Sequence, residues 1–226
     1  MSMRSRPAGF FRRLMRNRLA RTGGILLACV LAIAVIGPMV ASGDPNAMMP
    51  RLRNLPPSFA HPFGTDQLGR DLLLRTVFGS RLSLSIALAI SLLSLVFGAA
   101  LGMVAGYAGG WIDGLISRIM DSLMAFPSIL LALGIMAMLG ATTTNVIVAL
   151  TLVYMPRVAR VARAPVMSQK SLEYVEAARA GGASHLRLIF RHILPNVTSP
   201  IIVQATVVFA YAMVAEAALG FLGIGV

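Results

Sequence analysis

Charged residues are scarce in this chain. They make up 12% of its 226 residues, against roughly 25% in an average soluble domain. Hydrophobic residues make up 57%, and the mean hydropathy is +0.80. This composition excludes an ordinary soluble domain and indicates a membrane protein. Acidic residues are the rarest, at 8 against 20 basic ones. The basic residues flank long apolar runs, which is typical of membrane topology rather than of nucleic-acid binding.

Residues that carry catalysis or hold cofactors are also few. The one cysteine, Cys29, lies inside an apolar run, so the sequence has no disulfide framework. The three histidines are scattered and lack zinc spacing. The single lysine, Lys170, follows Gln169 instead of the glycine-rich turn that a nucleotide phosphate requires. The sequence therefore predicts no catalytic residue, no metal site and no cofactor in this chain.

Five apolar runs predict an all-α polytopic membrane bundle. The predicted spans are 23–40, 82–107, 112–139, 145–161 and 197–222, where about 20 residues suffice to cross the hydrocarbon core. Three glycines at spacing four in the second span favour close helix packing. Pro127 is expected to kink or break the third span. A cleaved signal peptide is the alternative for the first run, but the basic lead is long and further spans follow.

The segment before the first span is strongly basic. Residues 1–22 hold seven arginines and no acid, and their apolar and basic side chains fall on opposite halves of a helical wheel. This pattern predicts an amphipathic helix at the cytoplasmic interface, where arginines contact anionic lipid. A disordered charged tail is the alternative. Residues 41–81 then form a polar, proline-containing connector, and residues 82–226 form the main core.

A short helix–turn–helix is predicted between the fourth and fifth runs. Leu172, Val175 and Ala178 recur at helical spacing, and the Gly-Gly pair that follows predicts a helix stop. Ser184 can cap a second helical piece, which is expected to run to Pro195. So defined a structure on a membrane loop indicates a docking surface.

The charge distribution predicts the orientation. The segment between the fourth and fifth runs has two acidic residues, Glu173 and Glu176. It has seven basic residues, which are Arg157, Arg160, Arg163, Lys170, Arg179, Arg187 and Arg191. The excess of positive charge places the N-terminus and residues 163–195 in the cytoplasm. Alternation of the spans then places the 41–81 connector outside.

The stretch from Tyr174 to Asn196, YVEAARAGGASHLRLIFRHILPN, resembles the EAA loop of the membrane subunits of bacterial ABC importers. The matching residues are Glu176, Ala177, Ala178, Gly182, Leu194 and Pro195. His192 stands where the general pattern has an apolar residue, which is a mild departure.

A second segment resembles one branch of this family. HPFGTDQLGRDLLLRTVFGSRLSL is similar to the segment before the second helix of the dipeptide, oligopeptide and nickel permeases. Physically, Thr65 or Asp66 can cap a helix that begins near Gln67. Asp71 and Arg75 stand four residues apart and can pair along that helix.

The resemblance implies a type I importer permease of the bacterial cytoplasmic (inner) membrane. The implied partners are a homologous permease subunit, two cytoplasmic ATPase subunits and an extracytoplasmic solute-binding protein. The implied solute is a peptide or a related small solute such as nickel, and ATP is hydrolysed on the partner subunits. Relatives of this branch usually have a sixth helix, so we also expect one beyond Val226.

The resemblance further implies that residues 163–195 couple transport to the ATPase subunits. The coupling residues are Glu173, Glu176, Ala177, Ala178, Gly182, Leu194 and Pro195. The alanines would let a partner surface approach, Gly182 would allow the bend, and Glu176 can pair with a basic group on the partner or with Arg179. Glu173 also favours the dipole of its helix from the first turn.

Glu216 is the one acid deep in a strongly apolar run. Intramembrane carboxylates usually face a cavity or a partner, so Glu216 can line the translocation path or pack against a neighbouring subunit. A self-contained secondary transporter or channel is the alternative function for the chain. That class needs binding groups at the bilayer midplane, often in repeated halves. The sequence shows no internal repeat and offers only Glu216, which favours the permease.

Overall fold

The computed structural model describes residues 17–41 and 43–224. Within that part of the chain the structure is helical, with no strand. This confirms the predicted all-α fold. The chain divides into two compact units, Met1–Leu82 and Ser83–Val226. The helices are α1 (Arg18–Val40), α2 (Leu72–Ala108), α3 (Gly110–Met124), α4 (Ser128–Leu139), α5 (Thr143–Lys170), α6 (Glu173–Ala180) and α7 (His185–Phe221).

In the first unit, α1 begins earlier than the predicted start of the first span at residue 23. Asn17 caps the helix, because its side-chain oxygen accepts a hydrogen bond from the Leu19 amide at 3.0 Å. The helix packs on the first turns of α2 at Gly37, where a Cβ would lie 2.5 Å from Val77 Cγ1. Most of the predicted amphipathic segment 1–22 lies outside the described residues.

The connector after α1 folds around its aspartates. Asp66 accepts hydrogen bonds from the amide and side chain of Arg70 at 2.9 and 2.7 Å. These bonds, led by the one from the Arg70 amide and opposed in part by burial, lower the pKa of the Asp66 carboxyl to about 2. Asp66 therefore closes a turn and does not cap a helix.

The start of α2 corrects two predictions. The helix begins at Leu72 and not near Gln67, and Asp71 caps it by accepting a hydrogen bond from the Leu74 amide at 3.0 Å. The other carboxylate oxygen of Asp71 lies 2.8 Å from Nδ1 of His61. Asp71 thus pairs with His61 across the connector instead of with Arg75, because the turn at Asp66 brings the two ends of the loop together.

Four helices are long and apolar enough to cross a membrane, which are α1, α2, α5 and α7. A fifth span is present if α3 and α4 are counted as one, but they are bent by 92° at the break. Pro127 causes this break, because its backbone is extended and proline disfavours helix in the residue before it. The predicted third span, 112–139, is therefore two helices set nearly at right angles.

The other spans are longer helices than their apolar runs predicted. The second begins at Leu72 and not at 82, the fourth continues to Lys170 and not to 161, and the fifth begins at His185 and not at 197. Polar residues can extend a helix beyond the membrane core, where hydropathy no longer marks its course. The 163–195 segment therefore begins inside α5, which ends at Lys170. Its cytoplasmic location, like the extracytoplasmic location of residues 41–81, stays a prediction.

The core of the second unit forms around α5. Buried side chains recur along its length at helical spacing, including Val146, Leu150 and Val158, and they pack with buried residues of the other helices in one apolar cluster. Gly98 and Gly106 of α2 lie against α5, since a Cβ on either would stand 2.7 Å from a carbonyl oxygen of α5. The predicted close packing at these glycines is therefore present inside the chain.

Candidate functional site

The predicted coupling loop, residues 163–195, contains α6, a two-turn amphipathic helix that follows the end of α5. Its buried side is Val175, which is fully enclosed by the apolar core. Glu173 and Glu176 lie in the first turn, where negative charge favours the helix dipole, and both side chains are exposed. Within the described residues, neither carboxylate forms an ion pair, so the suggested pairing of Glu176 with Arg179 is not present.

The Gly-Gly turn ends α6 as the sequence predicted. The Gly182 amide donates to the Arg179 carbonyl at 3.0 Å, and the Ala183 amide donates to the Ala178 carbonyl at 3.1 Å. This pair of bonds is a Schellman motif, which requires a left-handed residue. Gly182 supplies that conformation with a φ of +82°. Ala178 and Ala183 both pack against the core and provide the apolar contact of the motif.

The second helical piece begins at its predicted cap but does not end at Pro195. The side chain of Ser184 accepts a hydrogen bond from the Arg187 amide at 3.4 Å. The helix then widens into a π-helical turn, Leu188–Ile193, and continues through Pro195 to Phe221. Pro195 lacks an amide donor, and the π turn just before it changes the pairing where the proline would otherwise disrupt an α-helix.

Tyr174 ties the two pieces of the loop together. Its hydroxyl lies 2.6 Å from the side-chain oxygen of Gln169 and 3.1 Å from the His192 carbonyl oxygen, and these two acceptors share its single proton. It also accepts from the side-chain amide of Asn196, which donates to the same His192 carbonyl at 2.7 Å. The sequence reasoning did not single out Tyr174 or Asn196 for this role, because their 22-residue separation carries no periodic signal.

The base of the loop is tied to the end of α2. The Lys170 ammonium donates to the Tyr107 carbonyl at 3.3 Å, and the Tyr107 hydroxyl lies 2.6 Å from Nδ1 of His185. Lys170 ends α5 and His185 begins α7. The end of α5 and the start of α7 therefore both contact one tyrosine.

The structure divides the predicted coupling residues into two groups. Ala178 and Leu194 are half-buried and pack against the core of the chain. The small size of Ala178 therefore serves internal packing, which differs from the partner contact expected of it. The exposed group comprises Glu173, Glu176, Ala177, Gly182 and Pro195.

Two large apolar side chains on this loop were missed. Leu186 is 67% exposed and Phe190 is 60% exposed, and they stand four residues apart at the start of α7. Arg187 and Arg191 follow them directly and are exposed as well. The signal was an apolar pair at helical spacing beside basic residues, which is typical of a contact surface and not of a solvated connector.

Two ion pairs join α3 to α5. Arg163 binds Asp113 through two hydrogen bonds of 2.5 and 2.6 Å, and Arg160 donates to Asp121 at 2.5 Å. A cavity of about 380 Å³ lies beside these pairs and is bordered also by Gly102. The partners of Asp113 and Asp121 stand 50 and 39 residues away in the sequence.

Glu216 is buried within the helix bundle and is 8% exposed. It shares the buried side of α7 with Val208, Ala212 and Leu219. Of the described residues, no basic side chain forms an ion pair with it. Ala215, its neighbour, borders a cavity of about 260 Å³.

Metal-binding geometry is missing from the part of the chain that the structure describes. Among residues 17–41 and 43–224, no three His, Cys, Asp or Glu side chains come together to hold a metal ion. The loop presents an amphipathic helix, a glycine turn and an exposed apolar and basic rim.

Two family models match the chain. The family described as "Binding-protein-dependent transport system inner membrane component" matches residues 98–226, which include α5, the loop and α7. The chain belongs to this family. The description "N-terminal TM domain of oligopeptide transport permease C" matches residues 8–57. The protein is thus a multi-pass membrane permease component of an ABC-type importer, and the predicted resemblance is confirmed.

Named relatives of this permease are similar over most of its length. A putative peptide transport system permease protein of Brucella abortus is 50% identical over 214 residues, which are 95% of this chain and 72% of the relative. A dipeptide transport system permease protein of Alkalihalophilus pseudofirmus is 46% identical over 215 residues, which are 95% and 71% of the two chains. A dipeptide permease of Bacillus subtilis is 39% identical over 216 residues, which are 96% and 68%.

Proposed function

We propose that this permease forms part of a translocation path for peptides in a bacterial inner membrane. The observation that carries the substrate class is its identity of 39 to 50% with relatives named as peptide or dipeptide permeases. A homologous permease subunit completes the path, and an extracytoplasmic binding protein delivers the peptide to it.

We further propose that the exposed side of the loop binds cytoplasmic ATPase subunits. Three observations support this role. Glu173 and Glu176 lack an ion-pair partner among the described residues, so their charges are available to a partner. Ala177 is small and exposed, which allows close approach. Leu186 and Phe190 expose apolar area that contact with a partner would bury.

ATP is hydrolysed on those partners in this proposal. The single lysine of the chain follows a glutamine, and its ammonium binds the Tyr107 carbonyl in the structure. Lys170 therefore serves the base of the loop. A phosphate-binding lysine instead needs a glycine-rich turn in front of it.

The experiment that tests the proposal is purification of the tagged chain from its native membrane, followed by reconstitution with the binding protein. We expect ATPase subunits to co-purify and labelled dipeptide to enter proteoliposomes only when ATP is present on the ATPase side. The competing function, a secondary transporter, requires an ion gradient. Uptake without ATP that collapses on addition of ionophores would overturn the importer proposal.

A further inference from the structure

Three arginines follow one another at spacing three along α5, and they differ in their partners. Arg160 and Arg163 bind the carboxylates of Asp121 and Asp113 on α3. Arg157 has no carboxylate within ion-pair distance among residues 17–41 and 43–224. The first of the three arginines thus keeps a net positive charge.

The guanidinium of Arg157 is nevertheless held in a defined place. It lies over the rings of Tyr154 and Tyr211, at 5.6 and 5.4 Å from their centroids. The two rings are stacked 6.4 Å apart, and the Tyr154 hydroxyl donates to the Tyr211 carbonyl at 3.3 Å. Nη2 of Arg157 donates to Ser128 Oγ at 3.1 Å. Aromatic faces attract a cation without neutralising it, so the group is positioned but remains available to an anion.

Arg157 is part of the lining of two cavities. One, of about 290 Å³, lies at the bend between α3 and α4. The other, of about 260 Å³, lies between α4, α5 and α7 and is walled by Ile129, Val214 and both tyrosine rings. Arg157 and Ser128 border both cavities. A cation between two open spaces can therefore be reached by a ligand.

Arg157 lies on a helix long enough to span a membrane, in the last turns of the predicted fourth span, 145–161. It occupies a partly buried position of α5, before the paired Arg160 and Arg163. Ionisable groups at such positions are costly and usually have an anionic or polar partner. The chain supplies two tyrosines and a serine but no carboxylate within ion-pair distance among the described residues, so an anionic ligand would provide the missing opposite charge.

We propose that Arg157, backed by Tyr154 and Tyr211 and oriented by Ser128, binds the terminal carboxylate of the transported peptide. The planar guanidinium fork matches a carboxylate with two parallel hydrogen bonds. Every unmodified linear peptide carries this group whatever its side chains, and the apolar wall beside it can receive a side chain. The inference rests on the proposed peptide substrate and adds to it a recognition site in this chain.

The test compares a dipeptide with its C-terminal amide. Uptake of labelled Ala-Ala and of Ala-Ala amide is measured with the complete reconstituted importer, for wild type and for Arg157→Gln. The binding protein is the same in both, so its own preference cancels when the two acid-to-amide ratios are compared. We expect Arg157→Gln to lower the ratio by roughly tenfold, as for loss of a charged hydrogen bond, because uptake of the uncharged amide should fall much less than uptake of the acid.

Two further variants make the comparison sharper. Arg157→Lys keeps the charge and removes the fork, so its ratio should fall between those of wild type and Arg157→Gln. If Arg157→Gln does not accumulate in the membrane, the acid-to-amide ratio of Arg157→Lys is compared with that of wild type instead. Arg118→Gln removes one positive charge from an exposed position of α3 that does not border either cavity, and it should keep the wild-type ratio.

Several outcomes would overturn the inference. Equal loss of acid and amide uptake would make Arg157 a structural residue. A defect that follows the fraction of anionic lipid in the proteoliposomes would identify a lipid phosphate as the partner, and failure of the subunits to co-purify would identify an acid of a neighbouring subunit. If wild type imports neither peptide, the proposed substrate class is wrong, and this inference falls with it. If wild type imports both and the ratio does not change in Arg157→Gln, only the inference is wrong.

Discussion

Glycine serves opposite purposes at two places in this permease. On α2, Gly98, Gly102 and Gly106 face the backbone of α5, and a Cβ on Gly102 would overlap the Ala159 carbonyl oxygen. At Gly182 no atom lies within 4 Å of a Cβ position, but the backbone has a φ of +82°. The first set of glycines creates room for a contact inside the chain. The second allows a turn and leaves its surroundings open, which suits the proposed docking surface.

The glycine contact on α2 should be the more sensitive of the two to substitution. Gly102→Val forces α2 away from α5, and overpacking against a backbone oxygen is expected to cost about 3 kcal/mol of stability. The amount of folded protein in the membrane and the melting temperature of the purified protein would show this loss. Gly134→Val is the matched control, since a Cβ on Gly134 meets nothing within 4 Å. A normal melting temperature for Gly102→Val would show that the α2–α5 contact is not close.

Gly182→Val should separate folding from transport. A valine side chain has space at this position, so the substitution should lower stability only through the left-handed backbone, by about 1–2 kcal/mol. We expect near-normal membrane levels, with weakened ATPase co-purification and transport. Gly182→Asn is the control, because asparagine tolerates the left-handed region and should retain most transport. Equal uptake by the valine variant and wild type would contradict the coupling role of this turn.

Neighbouring alanines on α6 allow a finer test of the exposed side. Ala177→Trp adds bulk to an exposed position, so stability should change by no more than about 0.5 kcal/mol while ATPase co-purification falls. Ala178→Trp adds the same bulk to a half-buried position and should destabilise the protein by about 1–3 kcal/mol. Melting temperature and bound ATPase, measured on both variants, give the answer. If Ala177→Trp retains its ATPase subunits, the partner does not contact this side of α6.

The smallest effect is expected at the acids of α6. Glu176→Lys reverses an exposed charge that forms no ion pair among the described residues, so stability should remain within about 0.5 kcal/mol of wild type. ATPase association should weaken most at low ionic strength, because salt screens exposed charges. Glu173→Lys, one helical turn earlier, shows whether the effect belongs to one position. Association that is unaffected at every salt concentration would remove Glu176 from the docking surface.

Local signals in the sequence were sufficient to predict the elements of the loop. The conformational freedom of Gly182 identified it as the turn. The place of Ser184 before a helical pattern identified it as the cap. Helix ends were harder to predict, because α5 continues to Lys170 through polar residues that hydropathy does not follow. Pro195 was taken as an end, but the π turn before it changes the local hydrogen bonding and the helix continues.

Long-range contacts could not be predicted from the sequence. The Arg163 partner, Asp113, stands 50 residues away. Tyr211 of α7, which contacts the Arg157 guanidinium, is 54 residues away from it in the sequence. His61 displaced Arg75 as the partner of Asp71, because the fold of the connector determines which groups meet. Spacing rules cover neighbours within a helix, and each of these contacts depends on which helix or loop lies beside which.

In the π turn at Leu188–Ile193, each backbone hydrogen bond encloses one more residue than in an α-helix. That extra residue lies near the start of α7, a helix that ends at Phe221. An α-helix advances about 100° and 1.5 Å for each residue. If the turn returned to α geometry, the membrane span would therefore rotate by about 100° relative to the loop. The helix would remain continuous throughout, so force could pass along it without any segment unfolding.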